Sequence, residues 1–182
     1  MENKRVLIAY ATRSGTTGEV ADRIGSVLES HGFKVDVLPV KRVKDLGPYA
    51  AAVIGSAVRL DQWLPEATEF VKKHRRELGL MPTAFFSVCL TAADPNEERR
   101  KLMARFSESA CTFRPPDDQA FFAGRLELKR LPLLPRMMAR GVKVKEGDFR
   151  DWESIRAWSE SLSTRFKEPA GPAAQAGAKK PA

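Results

Sequence analysis

The 182-residue chain carries only two cysteines and two histidines. Cys89 and Cys111 show no metal-ligand spacing, and a chain of this length builds a core without disulfides, so both are expected to be buried thiols. His31 and His74 fall on helical patterns, far in sequence from any candidate ligand loop, and are read as structural. No stretch approaches the roughly 18 apolar residues of a membrane-spanning helix. The first residues also lack the apolar centre and cleavage site of a secretory signal, so a cytoplasmic location is expected. No internal repeat at a period of roughly 20–50 residues occurs, which sets a solenoid aside.

What is present bounds the answer further. An apolar content of 43% suffices for one substantial core. The net charge of +8 favours anionic surroundings: nucleic acid, an acidic membrane face, an acidic protein or a carboxylated small molecule. Charge is the only support for nucleic acid, no recognition motif accompanies it, and no nucleic-acid partner is expected. After Lys167 the composition turns to Pro, Ala, Gly and Lys without apolar periodicity. That predicts one folded domain over 1–167 and a disordered tail over 168–182.

Short apolar runs alternate with helical stretches. "RVLIAYA" (5–11), "KVDVLPV" (34–40), "AAVIGSAV" (51–58), "TAFFSVCL" (83–90) and "QAFFAGRL" (119–126) are nearly continuous, as strands covered on both faces require. Val20, Ile24, Val27 and Leu28 mark a helix that stops near Gly32. Further stripes are Leu64, Ala67, Val71, His74 and Leu78, then Leu102, Met103 and Phe106, and finally Trp152, Ile155, Trp158, Leu162 and Phe166. The alternation predicts an α/β, doubly wound, five-stranded parallel sheet with helices on both faces.

In such a fold ligands bind beyond the carboxyl ends of the strands. The first strand ends at "TRSGTT", Thr12, Arg13, Ser14, Gly15, Thr16 and Thr17, which leads into the first helix. The free N–H groups and positive dipole end of a helix bind anions, hydroxyls add donors, and a glycine permits positive φ or close approach. The corner reads as a phosphate cradle without a lysine. Its alternative is a capping box between Thr16 and Glu19, which leaves Thr12, Ser14 and Gly15 unexplained. The loop fits neither G-x-x-x-x-G-K-[ST] nor G-x-G-x-x-G, so triphosphate and dinucleotide readings fall.

This "T-x-S-G-x-T" loop resembles the FMN phosphate loop of flavodoxins. The resemblance implies FMN as cofactor, a flavodoxin-like sheet of order 2-1-3-4-5, and two further loops around the isoalloxazine ring. By position these include Ala57, Val58, Arg59 and Leu60 after the third strand, and Ser87, Val88, Cys89, Leu90 and Thr91 after the fourth. Trp63 is placed either to stack on the ring or in the core. Arg59 is either an offset for negative charge on reduced flavin or a solvated arginine, and Cys89 either approaches the ring or is a structural thiol.

"FVKKHRREL", "MPTAFFSVCL", "AGRL" and "DWE", in that order, resemble more narrowly the flavodoxin-type protoporphyrinogen oxidase family, also called menaquinone-dependent protoporphyrinogen dehydrogenase. That implies an enzyme of haem synthesis with a porphyrinogen substrate and a quinone acceptor, on the inner face of the cytoplasmic membrane. Competing readings are an FMN-dependent quinone reductase and a flavodoxin-like electron-transfer protein; such carriers are usually acidic, unlike this chain. Between the last strand and last helix, the insertion 125–147 holds seven basic residues against Glu127 and Glu146, with Leu131, Leu133, Leu134, Met137 and Met138. A basic and apolar segment suits anionic lipid or a flat substrate bearing carboxylates, the alternative being an ordinary packed loop. It is shorter and richer in proline than in better-known members of the family and lacks their Gly-Gly stretch. No catalytic acid or base stands out, and no metal site is expected.

Overall fold

The computed structural model describes residues 4–126 and 146–168. Chain order is β1 (Arg5–Ala11), α1 (Thr16–Ser30), β2 (Lys34–Pro39), β3 (Ala51–Arg59), β4 (Gln62–Trp63), α2 (Pro65–Lys73), α3 (Arg75–Leu78), β5 (Thr83–Cys89), α4 (Glu97–Arg105), α5 (Glu108–Cys111), β6 (Asp118–Ala123), β7 (Arg125–Leu126), β8 (Gly147–Asp148) and α6 (Trp152–Lys167). Five long strands pair in parallel in the order β2-β1-β3-β5-β6. Counted by the long strands alone this is the expected 2-1-3-4-5. The shift in numbering comes from β4, which folds back antiparallel on the end of β3.

The two-residue period of each strand divides the core in two. Val6, Ile8, Val53 and Phe86 face α1 and α6, where they meet Val20, Ile24, Leu28, Ile155, Leu162 and Phe166. Leu7, Ala9, Ile54 and Phe85 face the other way, onto Ala67, Val71, Leu78, Met103 and Phe106. Both faces of the sheet are therefore dry, which is why its strands read as unbroken apolar runs. Full burial of one such Leu, Ile or Phe stabilises by roughly 1.5–3 kcal/mol. Gly55 sits mid-strand because a Cβ there would lie 2.0 Å from the Phe86 ring.

Three expectations are corrected. The run 119–126 is not one strand: β6 stops at Ala123, Gly124 turns the chain, and Arg125 and Leu126 join Asp148 and Gly147 in a separate two-stranded ribbon. The stripe from Leu64 to Leu78 is two helices, broken at His74 (φ −102°, ψ 18°). Cys111 is only partly buried, whereas Cys89 is buried. His74 packs against the Phe70 ring at 4.8 Å and His31 holds the Val27 carbonyl at 2.9 Å. Residues 127–145 of the insertion and 169–182 of the tail lie outside the described residues.

Candidate functional site

β1 lies second in the sheet order yet carries the first connection, so its carboxyl end opens on the switch point between β1 and β3. There the chain turns through Thr12, whose Oγ1 accepts a hydrogen bond from the Gly15 amide at 3.0 Å. Gly15 adopts φ 89°, ψ −17°, the left-handed region, and α1 starts at once. No side chain caps the helix, and Gly15 rather than Thr16 is its N-cap. The first amides of an α-helix have no partner within it, so a row of donors with the positive dipole end is left open. Glu19 makes no capping box; its carboxylate reaches instead to Arg125 at 2.8 Å and to Arg150.

Among these donors Thr17 is singular. The residue is 1% exposed, and its buried Oγ1 has no hydrogen-bond partner among the described residues. A buried hydroxyl left alone costs about 1–3 kcal/mol, so something is expected to satisfy it. Ser14 and Thr16 hold their hydroxyls 3.4 Å apart beside it. A phosphate, with several acceptor oxygens and a double negative charge, fits this set of neutral donors at a helix start.

A cavity of about 280 Å³ opens from this corner. Of the residues expected at the site, Arg13, Ser14, Thr16 and Thr17 line it from the first loop; Ala57, Val58 and Arg59 line it from the second. Val88, Cys89 and Leu90 close the third side. Thr12, Gly15, Leu60, Ser87 and Thr91 do not line it: Thr12 and Gly15 shape the turn, and Leu60 stands 89% exposed beyond the mouth. Ser87 is fully buried, where its Oγ accepts the Trp63 indole N–H at 2.8 Å. Trp63 itself lies 4.9 Å from the Phe85 ring and is 4% exposed, which settles it as a core residue.

The second loop is set by a hairpin that carried no sequence signal. Val58 pairs with Trp63 and Arg59 with Gln62, leaving a two-residue turn in which Leu60 (φ 51°) and Asp61 (φ 56°) are both left-handed. That turn normally takes Asn, Asp or Gly, so Asp61 suits it and Leu60 holds it against strain. Ser56 anchors its base, accepting the Leu64 amide at 3.0 Å.

Three further residues line the cavity without having been expected there: Leu64, Gly124 and Arg125. Gly124 falls in the "AGRL" stretch that carries the family resemblance, and Arg125 is also the first basic residue of the 125–147 insertion. Charge around the site is fixed by pairing. Arg13 engages Glu66 with both terminal nitrogens, which holds the Glu66 carboxyl below its ordinary range. Arg150 lies over the Trp152 ring at 4.5 Å, binds Glu19, and through its hydrogen bonds pushes the Asp148 carboxyl down to about 2. Burial pushes the Cys89 thiol up to about 11, so it is neutral at ordinary pH. No carboxylate or histidine lines the cavity among the described residues.

A family model described as a flavodoxin domain matches residues 7–152. The chain is 30% identical over 178 residues to a protoporphyrinogen IX dehydrogenase [quinone] of Escherichia coli (strain K12), covering 91% of this chain and 98% of that one. A protein of the same name from Leishmania major is 27% identical over 181 residues, covering 89% of this chain and 76% of that one. Solved structures share the fold at lower identity. Oxidised flavodoxin 1 of Bacillus cereus is 16% identical with a TM-score of 0.55, over 88% of this chain and 98% of that one. Two-electron reduced Megasphaera elsdenii flavodoxin is 13% identical with a TM-score of 0.56, over 87% and 98%. The switch-point corner, the two bordering loops and these likenesses converge: the chain belongs to the flavodoxin domain family and, within it, to the protoporphyrinogen IX dehydrogenases.

Proposed function

We propose that the chain binds FMN at the Thr12–Thr17 corner and oxidises protoporphyrinogen IX, with a quinone as electron acceptor. The observation that carries this reading is the buried hydroxyl of Thr17, without a partner among the described residues, in a residue that lines the cavity at an uncapped helix start. The activity named for the E. coli relative supports the substrate and acceptor.

Bound there, FMN supplies the two-electron redox chemistry. This chain's residues bind and orient. Thr12 pins Gly15, and the turn at Gly15 leaves the first amides of α1 free, so they would hold the phosphate. Ser14, Thr16 and Thr17 would donate their hydroxyls to it, and Arg13, tied to Glu66, holds the loop against α2. Ala57, Val58 and Arg59 would hold the flavin ring from one side of the cavity and Val88, Cys89 and Leu90 from the other, while Leu60, Ser87 and Thr91 only shape those loops. The Cys89 thiol keeps its proton at S and adds no charge beside the ring.

Among the described residues no helix is long and apolar enough to cross a membrane. Peripheral contact with an anionic membrane on its cytoplasmic face, through 125–147, forms part of the proposal, supported by that segment's basic and apolar residues. The deciding experiment mixes FMN-loaded protein, protoporphyrinogen IX and menaquinone without oxygen and follows porphyrin fluorescence. Turnover is expected. No turnover, together with nicotinamide-driven quinone reduction, would make the chain a quinone reductase instead.

A further inference from the structure

Three arginines line the cavity, and two are already committed. Arg13 is held by Glu66 and Arg125 meets Glu19 at 2.8 Å. The Arg59 side chain is at the mouth, exposed, and has no hydrogen bond or ion pair with any of the described residues. It is followed by the strained turn Leu60–Asp61, which presents Leu60 at 89% exposure. Across the mouth Leu90, a cavity residue, is 42% exposed. Strain kept at a loop beside a ligand cavity is a mark of function. An unpaired guanidinium flanked by two bare leucines matches a flat apolar molecule with a pendant carboxylate, since the guanidinium fork binds carboxylate with two parallel hydrogen bonds. A quinone, apolar and uncharged, would use the leucines alone.

We propose that Arg59 is a specificity-determining residue that receives a pendant carboxylate of the tetrapyrrole substrate. The inference rests on the substrate reading above and assigns the contact that separates the substrate from the acceptor at one site. The committed arginines each already neutralise a carboxylate, so a second carboxylate there would meet a compensated charge.

Binding tests this without turnover. FMN-loaded protein is titrated with protoporphyrin IX and, separately, with its dimethyl ester, following porphyrin fluorescence in the wild type, R59Q and R59K. The wild type should prefer the diacid. In R59Q that preference should collapse by roughly 10- to 100-fold, the worth of one charge-assisted pair, because the diacid weakens and the ester follows less. R59K, which keeps the charge and loses the fork, should recover part of it. General damage to the loop would weaken both ligands equally and leave the ratio intact, and that result overturns the inference, as does an R59Q that discriminates like the wild type. A wild-type protein that binds neither porphyrin overturns the substrate reading and this inference together.

Discussion

Thr17→Val exchanges a hydroxyl for a methyl of similar size at a residue 1% exposed, where the oxygen has no partner among the described residues. The exchange acts in opposite directions on the two states. Without cofactor the variant sheds an unsatisfied buried polar group, a penalty of about 1–3 kcal/mol that local relaxation reduces. Apoprotein stability should hold or rise, by up to about 1 kcal/mol on that scale. With FMN the lost hydrogen bond is one to a charged acceptor, worth about 1.5–3 kcal/mol, so the dissociation constant should rise roughly 10- to 150-fold. At a fixed excess of FMN, a hundredfold weaker constant removes about 2.7 kcal/mol of ligand stabilisation. Urea unfolding of the apoprotein and quenching of FMN fluorescence read the two effects separately. An apoprotein weakened by about 1 kcal/mol or more would show that the hydroxyl was already satisfied. An unchanged FMN constant would remove Thr17 from the phosphate site.

Gly15→Val places a β-branched residue at φ 89°, where an ordinary L-residue pays roughly 1–2 kcal/mol. Urea unfolding should show at least that loss, and the purified variant should be colourless; a yellow variant would contradict it. Cys89, pushed up to about 11 by burial, is about one-thousandth thiolate at pH 8. Iodoacetamide should therefore label the partly buried Cys111 first in mass-spectrometric mapping, and prior loss of Cys89 would refute the site's desolvation. Asp148 is held down at about 2 by Arg150, so its contribution to the ribbon is complete above its unfolded value of about 3.9 and is lost as pH falls through about 2. Exchange protection of the Phe149 amide, which donates to Gly124 at 3.2 Å, should be level from neutral pH to about 5, where an unfolded aspartate is still mostly ionised, and decline further down. In Asp148→Asn the protection should be lower and lack this Asp148-dependent decline.

Where sequence and structure agree, the cause is local. Arg5–Ala11 has the same bounds in both because burial on two faces leaves a continuous apolar run with polar ends. The phosphate corner was legible because hydroxyls and a glycine crowd the end of that run. Three features were decided elsewhere. The apolar run through Phe121 and Phe122 continues past Gly124, so only the pairing of Arg125 with Asp148 shows where β6 ends. Thr16 and Glu19 have capping-box spacing, yet Glu19 is claimed by arginines 106 and 131 positions away, which no local pattern reveals. Leu60 and Asp61 lack the Asn-Gly or Asp-Gly pair that normally announces a tight hairpin, and the turn is held by Ser56 and Trp63 behind it. Arg125 reached the cavity by the same kind of distant pairing.

Whether the first turn of α1 holds a phosphate is tested most directly by a calorimetric titration of apoprotein with FMN and with riboflavin, which differ by that group alone. FMN should bind at least about 100-fold more tightly, as two or more charge-assisted hydrogen bonds require. Equal affinity for the two would contradict it.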